Sequence, residues 1–380
     1  MSDAAKVHVI PRGLLGAVGT LWAGTPSAVS PFFGAQPAPV TDADRKVLAA
    51  AGICGGDGQL DPALRPALDV VGAANAFTRV YVSGEGGLLE YMVYFAPSGD
   101  SASLANDDGA MQVDRPAAVP SFLAAISQRI GTSLYRNAAL EATLPPDEAV
   151  VLAGLLDLQR RRLLRDTADG AGSVAVDASV ADVAAACAGP TGDRQWLASV
   201  MLELLSAEGI GSDDRCATAL KGLVERKIIV MAGSAFRLGD EALYLARRML
   251  VLDSALTLTV GHLGQAGGVS ISGFTCLQAG VHDLLYIDAG ADGVDVRCIS
   301  AAGVLEYCMT FFTDADVLKG IGAEARPLPA TETVPAPVAV AQAAAPARAG
   351  AAPPPAFCVR CGAKLAPGAA FCVKCGAKVG

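Results

Sequence analysis

The chain has 380 residues, with 29 lysine and arginine against 38 aspartate and glutamate, so its formal charge is −9. With 52% hydrophobic positions, 18% charged ones and a mean hydropathy of +0.41, it has the material for a sizeable core, which argues against a mainly disordered chain. The acidic balance argues against a body wrapped around nucleic acid, because neutralising phosphates requires a surplus of cations on some face.

Residues 1–40 read as an N-terminal arm. Gly13 to Thr41 carries no charge and includes the apolar piece Leu14 to Ala23. Pro26, Pro31, Pro37 and Pro39 interrupt the stretch before the ~20 apolar residues a bilayer demands, and its glycines make a poor signal-peptide core. No membrane span is expected.

Residues 41–170 read as a first α+β repeat. A short helix ends at Ala51-Gly52-Ile53, and a turn passes through Asp57-Gly58-Gln59-Leu60. A second helix covers Pro62 to Val71, followed by the strands Phe77–Val82 and Gly87–Phe95. After Pro145-Pro146-Asp147-Glu148, apolar residues at Leu152, Leu155, Leu156 and Leu163 mark one face of a long helix. Its back carries Arg160, Arg161 and Arg162, which read as a solvated helix end.

Residues 171–326 read as a second repeat. Trp196 to Leu205 forms an amphipathic helix, and Ser206 to Gly211 a turn. Ser212 caps a second helix with Asp213 and Asp214 in its first turn, and Ile228–Met231 with Ala235–Leu238 closes a hairpin about Gly233. These parts resemble a winged helix-turn-helix, in which Arg215, Lys221, Arg226 and Lys227 would face DNA; the two aspartates would repel its phosphates. A helix over Glu241–Leu250 and strands at Leu256–Val260, Leu284–Ile287 and Val294–Ile299 follow. Gly303–Phe311 shares five of nine residues with Gly87–Phe95 and reads as the matching strand of a duplicated unit. The expected fold is therefore α+β: duplicated helix and antiparallel-strand units with pseudo-two-fold symmetry.

Residues 327–356 collapse to alanine, proline and valine and read as an extended linker. Residues 357–380 then carry Phe357-Cys358-Val359-Arg360-Cys361-Gly362 and its near copy Phe371-Cys372-Val373-Lys374-Cys375-Gly376. Cysteines three apart on a tight turn can aim both sulfurs at one ion, and the following glycine tolerates the positive φ of such a turn. Cys358, Cys361, Cys372 and Cys375 thus supply four thiolates for one structural Zn2+ at about 2.3 Å, with no open position for catalysis. A segment of this length cannot bury a core, so metal binding supplies most of its folding energy. A redox C-x-x-C pair and a rubredoxin-like iron site are the alternatives.

These residues resemble the short prokaryotic zinc-ribbon module, in which F-C-x-x-C-G is repeated across a small spacer. The resemblance implies zinc and an interaction role toward protein or nucleic acid. Arg360, Lys364, Lys374 and Lys378 give the module a basic surface for either. The body, over roughly residues 40 to 325, is similar in its order of elements to the EspG-like chaperones of type VII secretion, whose α+β halves are related by a pseudo-two-fold. The matching positions, among them Gly52, Ile53, Leu60, Leu64 and Leu68, are structural, and the resemblance carries no binding residue across.

Enzymatic signals are sparse. No phosphate-binding loop, H-E-x-x-H or G-x-S-x-G occurs, and Gly268–Gly273 has the wrong spacing for a nucleophile elbow. The three histidines are His8, His262 and His282. The latter two could pair with Asp283 or Asp288, but they read as turn or core residues, and no enzyme is expected. Cys54, Cys187, Cys216, Cys276, Cys298 and Cys308 read as buried small hydrophobes, and free thiols favour a reducing, cytoplasmic compartment. The expected function is a non-catalytic, protein-binding adaptor or secretion-associated chaperone-like protein with the ribbon as a second contact. The alternative is a DNA-binding regulator that uses the winged-helix-like unit and the basic ribbon through Arg226, Lys227, Arg360 and Lys374.

Overall fold

The structure, a computed structural model, describes residues 7–11, 13–33, 39–84, 87–107, 110–136, 138–172, 174–189, 192–264, 267–280, 283–290 and 292–314. The chain divides into two units, Met1–Leu328 and Pro329–Gly380, and all described residues belong to the first. His282, the linker and the ribbon lie outside the described residues.

The arm supplies an edge strand β1 (His8–Ile10) and a helix α1 (Leu15–Trp22). Helix α2 (Asp42–Ala50) starts with a reciprocal capping box between Thr41 and Asp44. Gly52 ends it in the left-handed conformation at φ 69°, and the Ile53 amide donates back to the Leu48 carbonyl at 2.9 Å, a Schellman closure. A Cys54–Leu60 bridge leads into α3 (Arg65–Gly72), which has proline in its first turn. Four strands then run as a meander, β2 (Ala76–Gly84), β3 (Gly87–Phe95), β4 (Ser101–Asp107) and β5 (Ala110–Asp114), before helix α4 (Val119–Ile130).

A connecting region follows, with strand β6 (Glu141–Leu144), the long helix α5 (Pro146–Ala168), α6 (Val180–Ala186) and α7 (Leu197–Leu204). The earlier order then returns. Ser212 caps α8 (Asp213–Glu225). Lys227 takes the left-handed position at φ 61°, and Ile228 donates to the Leu223 carbonyl at 3.0 Å. A two-stranded hairpin, β7 (Ile229–Ala232) and β8 (Ala235–Leu238), stands where the Cys54–Leu60 bridge stood, and α9 (Asp240–Arg248) follows. A second meander, β9 (Ser254–Leu263), β10 (Val269–Ala279), β11 (Asp283–Gly290) and β12 (Gly293–Ile299), leads to helix α10 (Ala301–Thr313).

Among the described residues ten of these strands make one antiparallel sheet in the order β1-β5-β4-β3-β2-β9-β10-β11-β12-β6, and β7 and β8 pair apart from it. Strands β2 and β9 pair at its centre from Ala76–His262 to Gly84–Ser254. Each meander therefore runs outward from the middle, and the pseudo-two-fold passes between β2 and β9. On one face α4 and α10 lie together over a core of Val80, Val93, Leu258, Cys276, Tyr286 and Phe312. On the other, α1 to α3 cover the first half around Trp22, Leu68 and Tyr94, and α5 to α9 cover the second around Leu152, Leu220 and Leu285.

Two expectations are corrected. Gly303–Phe311 is not a strand but lies within α10. Ser300 caps that helix by accepting from the Gly303 amide at 3.1 Å, and its buried residues Ala301, Val304, Cys308 and Phe312 recur at helical spacing. The nine-residue match thus pairs a strand with a helix. The duplication lies instead in the order of elements and in the equivalent turns at Gly52 and Lys227, and α10 corresponds to α4.

The second correction concerns Arg160, which is no part of a solvated helix end. Helix α5 is enclosed by α6, α7, α8 and α9, and Arg160 is fully buried. It donates to Asp157 Oδ1 at 2.7 Å, to the Gln195 carbonyl at 2.7 Å and to the Leu250 carbonyl at 3.0 Å. The Asp157 carboxylate in turn accepts from the Leu197 and Ala198 amides at the start of α7. Arg161 lies over the Trp196 ring at 4.3 Å, and Arg162 pairs with Asp166. Residues 141–168, placed by the sequence with the first repeat, pack on the second: β6 pairs with β12, and α5 lies in the second-half core.

Candidate functional site

The winged-helix-like parts are present in the order anticipated, α7, a turn, α8 and the β7–β8 hairpin. Cys216, Ala219, Leu220 and Leu223 form the buried side of α8. The cations of this unit are exposed, and two of them are ion-paired within the fold. Arg215 makes a two-point contact with Asp147 at 2.6 and 3.1 Å, and Arg226 donates through Nε to Glu148 at 2.7 Å. Asp147 and Glu148 occupy the first turn of α5, where the helix dipole favours anions. Gly222 lets this contact form, since a Cβ there would collide with the Glu148 carboxylate. Both arginines thus tie α8 to α5. Lys227 is exposed and turns the chain. On the solvent side of α8 and its C-terminal turn, Asp213, Asp214 and Glu225 are exposed beside Arg215, Lys221, Arg226 and Lys227, so the face where a recognition helix would meet phosphates is of mixed charge.

The hairpin is fastened at its other edge. Phe236 exchanges backbone hydrogen bonds with Ala178 at 2.8 and 2.9 Å, and Arg237 makes a two-point contact with Asp177.

Among the described residues the histidines and cysteines form no catalytic cluster. His8 is buried, with Nε2 3.3 Å from Asp61 Oδ2, and His262 is half-buried on β9. Asp288 accepts from the Tyr286 hydroxyl at 3.1 Å rather than pairing with a histidine. Burial raises its carboxyl above the usual aspartate range, and Asp295, directly opposite on β12, adds to the rise. The six body cysteines are free and buried, as read from the sequence. Burial pushes the Cys187 and Cys308 thiols up to about 12 and the Cys216 thiol to about 11, which keeps them protonated and weakly nucleophilic. Among the described residues no group of three or more histidine, cysteine or acidic side chains could hold a metal ion. Nor is any helix there long and apolar enough to cross a membrane.

One feature escaped the sequence reading. The alternation Val294-Asp295-Val296-Arg297-Cys298 correctly puts Val294 and Val296 against α5, and implies that Arg297 faces water. In the fold that opposite face is roofed by α10, so Arg297 points into a cleft of about 690 Å3 against α10. The available signal was an arginine in a strand followed by the aromatic pair Tyr307 and Phe311, and it has meaning only once Gly303–Phe311 is a helix.

Cys358, Cys361, Cys372 and Cys375, with Arg360 and Lys374, lie outside the described residues. As a donor set, four thiols in two C-x-x-C pairs suit a closed tetrahedral zinc site, and these cysteines would hold the ion. No curated protein matches the chain. Residues 357–379 match the zinc-ribbon domain family, and that terminal module is therefore a zinc ribbon, a zinc-binding element carried by the larger α+β body.

Proposed function

We propose that this protein is a non-catalytic, protein-binding adaptor or chaperone-like protein, in which the pseudo-two-fold body recognises a protein partner and the ribbon, holding one structural zinc, makes a second contact. The observation that carries this reading is the commitment of Arg215 and Arg226 to Asp147 and Glu148. It engages two of the cations on which the rival DNA-binding reading depends, leaving Lys221 and Lys227 exposed beside Asp213, Asp214 and Glu225. The partner-binding role is drawn from the resemblance of the sequence to EspG-like, secretion-associated chaperones, and the body does repeat an order of helix, left-handed turn, helix, four-strand meander and helix. Two tethered contacts strengthen one another without demanding rigid geometry.

The test is affinity isolation of the full chain from its host, with nuclease treatment, beside a chain ending at Arg326, and identification of what each retains. One defined protein kept by both forms after nuclease is the expected result. Loss of every partner on nuclease treatment, together with a salt-sensitive complex on duplex DNA that weakens when Arg226 and Lys227 become glutamate, would replace this reading with the DNA-binding one.

A further inference from the structure

Strand β12 sets Arg297 opposite Tyr286 of β11 on the sheet face that α10 covers. The guanidinium lies on the Tyr286 ring at 4.6 Å and donates through one terminal nitrogen to the Tyr307 hydroxyl at 3.1 Å. Asp295 approaches Nε only to 3.6 Å, so this buried donor has no hydrogen-bond acceptor. A buried guanidinium donor left unpaired is costly, and because Nε is closed off while the side chain as a whole still lines the cleft, a ligand oxygen would meet the guanidinium at its terminal nitrogens.

The surroundings indicate what kind of ligand. Arg297 lines the cleft with Ser300 and Gly303 at the positive end of α10, and with Tyr307, Phe311 and Leu134 beyond them. Tyr307 and Phe311 stack at 6.3 Å and Tyr286 and Tyr307 at 6.2 Å, an aromatic wall leading away from the guanidinium. Arg136 and Glu306 also line the cleft; Arg136 is paired with Glu141 at 3.1 Å and Asp295 stands beside Arg297, so cations and acids meet there and the geometry of the guanidinium, not a net charge, marks the ligand. At its edge Leu134 is 81% and the adjacent Tyr135 74% exposed, although both are large and apolar. The fold does not demand this arrangement. In the first half the matching sheet face carries Ser103, Ala105 and Gln112 on strands β4 and β5.

We propose that the cleft receives the C-terminal carboxylate of a peptide on Arg297, with the adjoining large apolar side chain laid along Tyr307, Phe311 and Leu134. The guanidinium and the aromatic wall together select this occupant: the planar fork pairs with a carboxylate through charge-assisted hydrogen bonds, and the wall beside it takes an apolar neighbour. The inference rests on the protein-partner reading and names the chemistry of that partner.

The probe is acetyl-Leu-Phe with a free carboxylate, titrated into the full chain and followed by amide NMR shifts beside the same dipeptide amidated at its C-terminus. Saturable binding of the acid, with the amide at least about tenfold weaker, is expected. Leu134→Asp, on an exposed side chain and so harmless to folding, should weaken the acid by a similar factor, as should Arg297→Lys, which keeps the charge but loses the planar fork. Equal binding of acid and amide, no saturation at about 10 mM, or indifference to Leu134→Asp overturns the proposal. Peptide binding by a chain that captures no protein would keep the cleft and remove the adaptor reading. A captured partner with no peptide binding would do the reverse.

Discussion

Replacing Arg160 by methionine tests the reading of α5 as the pin of the second half. The substitution removes three hydrogen bonds, to Asp157, Gln195 and Leu250, and leaves the Asp157 carboxylate buried with only the Leu197 and Ala198 amides as donors. Breaking a buried pair from one side costs roughly 3–5 kcal/mol. The two amides retain part of the compensation, which places the loss at the lower end, about 3 kcal/mol. With a urea m-value near about 3 kcal/mol per molar, the unfolding midpoint should fall by about 1 M. The pH dependence has a definite sign. Burial raises the Asp157 carboxyl, against the pull of its amide donors and Arg160, and losing the arginine raises it further. The folded variant then holds its proton to higher pH than the unfolded chain, so its stability rises as pH falls and the deficit against wild type narrows toward the usual aspartate range. The double variant Asp157→Asn with Arg160→Met should lose less than the two single variants together by at least about 1 kcal/mol. A midpoint shift below about 0.3 M, or a deficit that widens as pH falls, would refute this account.

Elsewhere in the body, Lys227→Gly should stabilise the chain and Gly52→Ala destabilise it, each by about 1 kcal/mol, because both positions hold left-handed backbone; urea midpoints read the pair. Hydrogen bonds from Thr41 hold the Asp44 carboxyl below its usual range. The part of the cap that depends on its charge should therefore be complete above the ordinary aspartate value and be lost as pH falls through the depressed one, so that the deficit of Thr41→Ala in urea melts narrows toward acid pH without vanishing, since Thr41 also accepts from the Asp44 amide. Metal analysis should find one zinc per chain, lost on Cys372→Ser with the body's urea midpoint unchanged; two ions, or none, would break the assignment.

Period and punctuation made much of the body legible. The capped helices, the left-handed turn at Gly52, the long helix after Pro145 and the strand at Val294–Ile299 all stand where local chemistry puts them, because caps, turns and alternation are decided within a few residues. Gly303–Phe311 shows the limit. Its resemblance to β3 is real in letters, but Ser300 ahead of it and the spacing of Val304, Cys308 and Phe312 make it a helix, and nine residues of matching identity do not carry a strand's pairing partners with them. Arg160 shows a second limit, since charge in a helix says nothing of whether four other helices enclose it.

For the terminal module the sequence alone was enough to name a zinc ribbon, because two spaced C-x-x-C pairs are a local signature that would need no distant partner. It also determined that the body is α+β and repeats an order of parts. Only the tertiary structure decided that the two meanders fuse through β2 and β9 into one sheet, that Arg215 and Arg226 are held by α5, and that Arg297 faces a cleft instead of water. Each of these depends on which surfaces meet across long stretches of chain, and burial, which sets the cost of every unpaired charge, exists only after they have met.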